Sequence, residues 1–195
     1  MATALTIPLM PVEEYLDSSF EYDMEYVDGV LVERSMPTGP HSLLQVLLGV
    51  WFFPLRLKYL FAVLSEQRVE IVQRSRYRVP DVLLCELPAP RGVLTQAPLA
   101  VIEILSPRDS LSNQIARYRE YWTRGVRQII ILDPEDCRAF RYSDGALTEG
   151  AIDGIQLPSG SVVPFSTAEL FQQLRAELAR TSTGESESDS ESSSR

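Results

Sequence analysis

The chain predicts an α/β fold, a mixed β-sheet core flanked by helices, and three observations predict it. Short β-branched apolar runs recur through its middle: Val82-Leu83-Leu84, Val101-Ile102-Glu103-Ile104-Leu105 and Val126 to Leu132. Two aspartate–glycine pairs, Asp28-Gly29 and Asp144-Gly145, each divide two such runs and signal hairpins. From Glu103 to Leu132 a strand, an amphipathic stretch and a strand follow one another, which makes a right-handed crossover and a parallel pair. Hairpins plus one crossover give a mixed sheet with helices on its faces. The 195 residues suffice for one domain with a real core, and 45% hydrophobic against 23% charged is ordinary for a globular protein.

The elements follow in order. Residues 1–10 read as a loose lead-in, and one domain spans 11–180. Pro11 to Leu16 is a short helix with proline in its first turn. Met24 to Glu33 is the hairpin around Asp28-Gly29, and Met36 to Pro40 is a loop. His41 to Phe53 is a helix apolar on most of its surface, hence buried, and Pro54 ends or kinks it. Arg56, Lys58 and Tyr59 then face a wetter environment. Phe61 to Gln73 holds one or two strands, with Glu66, Arg68 and Glu70 marking an outward face. The Asp81 strand, a Pro88 to Gly92 loop and the Glu103 strand come next. Asp109 to Trp122 is an amphipathic helix, capped by Gly125. After the strand ending at Leu132, Cys137–Tyr142 and Ala146–Ile152 form the second hairpin. Ser166-Thr167-Ala168-Glu169 is a capping box that opens a last helix through Leu178. From Thr181 only serine, threonine, glycine and charge remain, a composition that predicts disorder for residues 181–195.

Charge narrows the function. Net charge is −9, and setting aside residues 183–195 still leaves 23 acidic against 17 basic residues. Such a chain does not live on non-specific attraction to phosphate, although a local basic groove remains open to it. Two cysteines, Cys85 and Cys137, make neither a disulfide framework nor a four-thiolate zinc site. Cys85 reads as a small buried hydrophobe. The N-terminus lacks the pattern of a signal peptide, and the longest apolar stretch, Leu43 to Phe53, is too short for a bilayer span. The expectation is a cytoplasmic protein with no membrane partner.

Asp81 and Glu103 carry the chemistry. Each sits in an apolar strand bounded by proline, Pro80-Asp81-Val82 and Ile102-Glu103-Ile104-Leu105-Ser106-Pro107. A carboxylate buried in a strand is costly unless paired. No lysine lies near either in sequence, which points to a divalent cation as partner. The bland alternatives are a turn-capping role for Asp81, and for Glu103 a structural ion pair with Arg78 or Arg117.

These stretches carry a resemblance. Val12-Glu13-Glu14-Tyr15-Leu16, Glu25-Tyr26-Val27-Asp28-Gly29-Val30-Leu31-Val32-Glu33, Pro40-His41, Pro80-Asp81-Val82, Val101 to Pro107, Tyr121, Gly125-Val126 and Ile131 to Pro134 are similar in order and spacing to the Uma2 family of restriction-endonuclease-like proteins (DUF820). That family falls in the PD-(D/E)XK nuclease superfamily, and the likeness covers about residues 10–145. The resemblance implies a four- or five-stranded mixed core sheet and a Mg²⁺-dependent site, with Mn²⁺ as substitute, that hydrolyses DNA. It places Asp81 and Glu103 as metal ligands, with the Ile104 carbonyl as a further ligand. Glu25 would orient a water or a second ion, and His41 would support the site or simply cap its helix. The motif lysine is replaced by Leu105. The cation that the family often carries on the next helix is Arg117 here, with Asn113 one turn earlier. Arginine stabilises phosphate charge but does not serve as a general base. The resemblance further implies a homodimer. A nuclease fold that has lost catalysis and acts as a nucleic-acid-binding or interaction module is the rival reading.

Overall fold

The computed structural model describes residues 9–20, 24–107 and 110–188. The expectations for residues 1–8, for Asp109 as a helix start and for residues 189–195 lie outside the described residues.

Helix α1 (Val12–Asp17) leads into strands β1 (Met24–Val27) and β2 (Val30–Glu33). The turn between them takes Asp28 and Gly29 through positive φ, 51° and 92°, as a tight hairpin requires. Helix α2 (Gly39–Phe52) is capped by Thr38, whose hydroxyl accepts from the His41 amide. His41 therefore lies inside the helix and does not cap it. A 3₁₀ turn at Phe53–Leu55 and helix α3 (Arg56–Tyr59) follow. Then come β3 (Phe61–Ser65), β4 (Val69–Val72), β5 (Arg76–Arg78), β6 (Val82–Glu86) and β7 (Ala100–Ile104). Helix α4 (Leu111–Arg124), capped by the Ser110 hydroxyl, crosses to β8 (Ile129–Asp133). The hairpin β9 (Arg138–Ser143) and β10 (Ala146–Glu149) comes next. A further, unpredicted hairpin pairs β11 (Gly154–Gln156) with β12 (Val162–Pro164), and α5 (Thr167–Ser188) follows. α5 runs past Thr181, where composition predicts the tail to begin.

The predicted mixed sheet flanked by helices is present. It has six strands in the order β10-β9-β8-β7-β6-β3, more than the four or five the resemblance implies. β7 and β8 pair in parallel through α4, as predicted, and the other pairs are antiparallel. A separate four-stranded sheet, β2-β1-β5-β4, holds the first hairpin. Side chains alternate across the six-stranded sheet. Val82, Leu84, Ile102 and Ile130 pack beneath α2 and α5. Leu83, Val101, Ile129 and Ile131 pack beneath Tyr118 and Tyr121 of α4.

Two local expectations are corrected. α2 buries Leu44, Leu48 and Phe52 but leaves Val46 and Val50 exposed, because only one side meets the sheet and α5. Glu66, Arg68 and Glu70 do not share a strand face. The chain breaks at Glu66, φ 51°, and passes from one sheet to the other.

Candidate active site

The site lies where the two sheets meet. β5 of the smaller sheet runs through Val79-Pro80-Asp81 directly into β6 of the larger one. β6 and β7 pair antiparallel with Val82 opposite Ile102, so the same register carried one residue further sets Asp81 opposite Glu103. Facing residues of neighbouring strands stand roughly 5 Å apart. Both carboxylates are buried, at 3% side-chain exposure each.

Asp81 is fully engaged. Its Oδ2 accepts the Ile104 amide at 2.7 Å. Its Oδ1 accepts from Arg34 and stands 3.3 Å from His41 Nε2. Its main-chain carbonyl takes the Gln45 amide at 3.0 Å. Burial alone would raise its pKa. The His41 ring, the Arg34 guanidinium and the Ile104 amide outweigh burial and hold the carboxylate below its ordinary range. On the far side of the ring, His41 Nδ1 is 3.4 Å from Ser106 Oγ.

Glu103 has the opposite character. It accepts from Tyr121 Oη at 2.8 Å, and Arg117 Nη1 lies 3.5 Å from its other oxygen. Burial pushes its pKa up to about 8, and the Asp81 charge adds to that rise while Arg117 opposes it. Two facing carboxyls with pKa values driven apart are a common mark of a functional pair.

Arg117 reaches the pair because α4 covers that face of the sheet. It is anchored from behind by Glu25, whose Oε2 takes Arg117 Nη2 at 3.2 Å and Arg78 Nη1 at 2.6 Å. Glu25 Oε1 accepts the Val79 amide at 3.1 Å. Arg78 in turn forks onto Glu120 of α4. Burial would lower the Arg117 pKa, but Glu103 and Glu25 hold it above the usual arginine range.

Every predicted site residue is thus brought to this seam, in two contact sets and not always in its predicted part. Asp81 meets His41 and the Ile104 amide, and Glu103 meets Arg117, which Glu25 holds. Glu25 is wholly buried and committed to two arginines and an amide, so it braces Arg117. Ile104 is brought to Asp81 through its amide. Leu105 fills the lysine position and packs with the apolar cluster under α4. Arg78 pairs with Glu25 and Glu120, and the rival ion pair of Glu103 is made by Arg117. Sequence reasoning missed Arg34, which follows β2 with no motif to mark it. It placed Tyr121 in the family pattern, four residues after Arg117, but gave it no part in the site, although that spacing puts both on one helix face.

The donors present fit a hard divalent cation: two carboxylates opposite one another on adjacent strands. Among the described residues no group of three or more His, Cys, Asp or Glu side chains is disposed to hold a metal. An ion would therefore rest on Asp81 and Glu103 with water completing its shell, as Mg²⁺ tolerates. The more exposed members of the site are its cations, Arg34 at 13% and Arg117 at 17%. A groove of about 580 Å³ between α2 and β3 is lined by Gln45, Val46, Glu66 and Val82 among others, and meets the site only through Glu66 beside Arg34 and Gln45 on the Asp81 carbonyl.

Fold and site together define a protein of the restriction-endonuclease-like class. The Uma2 family model, described as "Putative restriction endonuclease", matches residues 12–174, and the chain belongs to that family. The fold is similar to a crystal structure from Anabaena variabilis ATCC 29413, titled a putative nuclease belonging to DUF820. The TM-score is 0.65, with 23% identity over 85% of this chain and 99% of that one. At that identity the likeness bears on the fold alone. No curated protein matches the chain.

Proposed function

We propose that this protein is a metal-dependent endonuclease that hydrolyses DNA phosphodiester bonds in the cytoplasm, using Mg²⁺ with Mn²⁺ as substitute. The observation that carries this reading is the buried Asp81–Glu103 pair set face to face beneath Arg117. Asp81 and Glu103 would hold the ion. When bound, it would polarise the scissile phosphate and lower the pKa of an attacking water. Arg117, braced by Glu25, donates to the charge that develops on the phosphoryl oxygens. Its guanidinium keeps its protons, so its role is electrostatic. His41 fixes the orientation of Asp81. A two-fold pair of chains would offer one site to each DNA strand.

One observation favours the second reading, a catalytically silent nucleic-acid-binding or interaction module. Leu105 packs as a hydrophobe where the motif lysine belongs, and Asp81 already has protein partners on both oxygens. Cleavage of supercoiled plasmid in Mg²⁺ or Mn²⁺ separates the two. Wild type should cut, Asp81→Ala and Glu103→Ala should not, and Arg117→Met should slow the reaction about 10²–10³-fold. Folded wild type that leaves varied plasmids intact with both metals would hand the case to the binding module.

A further inference from the structure

Arg34 has no role in the reading above, yet it holds the contact on which that reading depends. Asp81 Oδ2 is committed to a main-chain amide of β7, which does not move without unpairing the strand. Oδ1 is therefore the oxygen open to exchange, and Arg34 Nη2 donates to it. The guanidinium is nearly buried, so it needs an anionic partner wherever it turns. A second one stands beside it: Glu66, at 3.9 Å from Arg34 Nη1 and 44% exposed. Glu66 is itself tied to the site, since its amide donates to the Asp81 carbonyl at 3.3 Å. Arg34 thus sits between an inner carboxylate that a cation would claim and the outer rim of the same site.

We propose that Arg34 is an internal counter-ion that competes with the divalent cation for Asp81 Oδ1 and, once displaced, presents its guanidinium to a DNA phosphate. The inference rests on the metal-site reading above. Before the ion arrives, Arg34 keeps Asp81 ionised and neutralised. A cation at Oδ1 repels the guanidinium and takes over its partner. The freed fork matches a phosphate bidentately, where a lysine would offer only a point charge. Metal and substrate then arrive as one event, because each removes the obstacle to the other. That linkage is reciprocal by necessity.

The test is Mn²⁺ binding to the DNA-free protein, read by the electron paramagnetic resonance of free Mn²⁺. Wild type, Arg34→Met, Arg34→Lys, Asp81→Asn and Glu103→Gln are compared, with the fold of each checked by circular dichroism. Arg34→Met should bind Mn²⁺ at least about tenfold more tightly than wild type, with Arg34→Lys between them. The lysine variant keeps the charge and serves if the methionine variant does not fold. Equal Mn²⁺ affinity in wild type and both Arg34 variants, with Asp81→Asn still losing binding, overturns the proposal and leaves the metal site standing. Undiminished binding by Asp81→Asn and Glu103→Gln overturns the metal site itself, and the proposal with it. Affinity for a short duplex gives a second readout. Arg34→Met should weaken it several-fold with Ca²⁺ present and little in EDTA, where Arg34 is still held by Asp81. An equal effect in both conditions overturns the phosphate role.

Discussion

Glu103 and Asp81 face one another and yet respond to pH in opposite senses. Glu103 has a folded-state pKa of about 8 against an ordinary 4.5, so between these values the folded protein holds a proton that the unfolded chain releases. Its contribution to stability is then fully present below about 4.5 and is lost as pH rises toward 8, a few kcal/mol in order of magnitude. Asp81, lowered, acts only at acid pH, where its contribution fades as pH drops below the ordinary carboxylate range. Glu103→Gln imitates the protonated form. In EDTA, urea midpoints of this variant should be flatter between pH 5 and 8 than those of wild type. Parallel profiles would refute the raised pKa. The two acids themselves were readable, because a carboxylate in an apolar strand is conspicuous. Arg117, the partner of Glu103, was among the candidates, through the rival ion pair and the family spacing. The partner of Asp81 was not: Arg34 lies 47 positions away, with no motif to mark it. Proximity in sequence is a poor guide where three elements converge.

At the scale of elements, α4 decides whether Arg117 reaches the pair. Its ends are set by Ser110, which caps the first turn, and by Gly125 at φ 112°, whose amide closes onto Trp122 and Tyr121 carbonyls. The Gly125 end was readable, since a C-capping glycine announces itself locally, whereas Ser110 was not singled out as the cap of the first turn. A Cβ on Gly125 would meet Ala97 Cβ at 3.6 Å, an ordinary contact, so Gly125→Ala should cost only the left-handed backbone, about 1–2 kcal/mol. A thermal or urea melt checks it, and a loss far beyond that range would mean the close approach of Ala97 matters more than φ. The hairpins at Asp28-Gly29 and Asp144-Gly145 were readable for the same local reason. The β3–β4 break was not, because alternating Glu66, Arg68 and Glu70 imitate one continuous strand. The β6–β7 register is also non-local. No spacing rule says that Asp81 will stand opposite Glu103 across the intervening loop.

For the whole molecule, the sheet class followed from hairpins plus one crossover, and its division into two sheets did not. That division matters, because the site is the seam between them. Glu25 comes from the smaller sheet, Glu103 from the larger, and Arg117 joins both. Whole-molecule charge then constrains how DNA is held. With a net charge of −9, the surface at large repels a polyanion, and attraction is left to the ion and to the guanidiniums at the site, Arg34 and Arg117. Counterion release scales with the phosphates neutralised, at a slope of about −0.9 per contact. Two or three contacts give a log–log slope of duplex affinity against KCl no steeper than about −3. Fluorescence anisotropy from 50 to 200 mM KCl, about the range over which such slopes are resolved, with Ca²⁺ present, measures it directly. A slope near −6, about seven phosphates, would mean that a separate basic surface carries the affinity. The groove between α4 and strands β4 and β5, lined by Arg76, Arg119 and Arg124 among others, would be the place to look, and charge reversal at exposed Arg119 would then flatten the slope. A shallow slope that steepens on neither addition nor removal of Ca²⁺ would instead detach DNA binding from the Asp81–Glu103 site altogether.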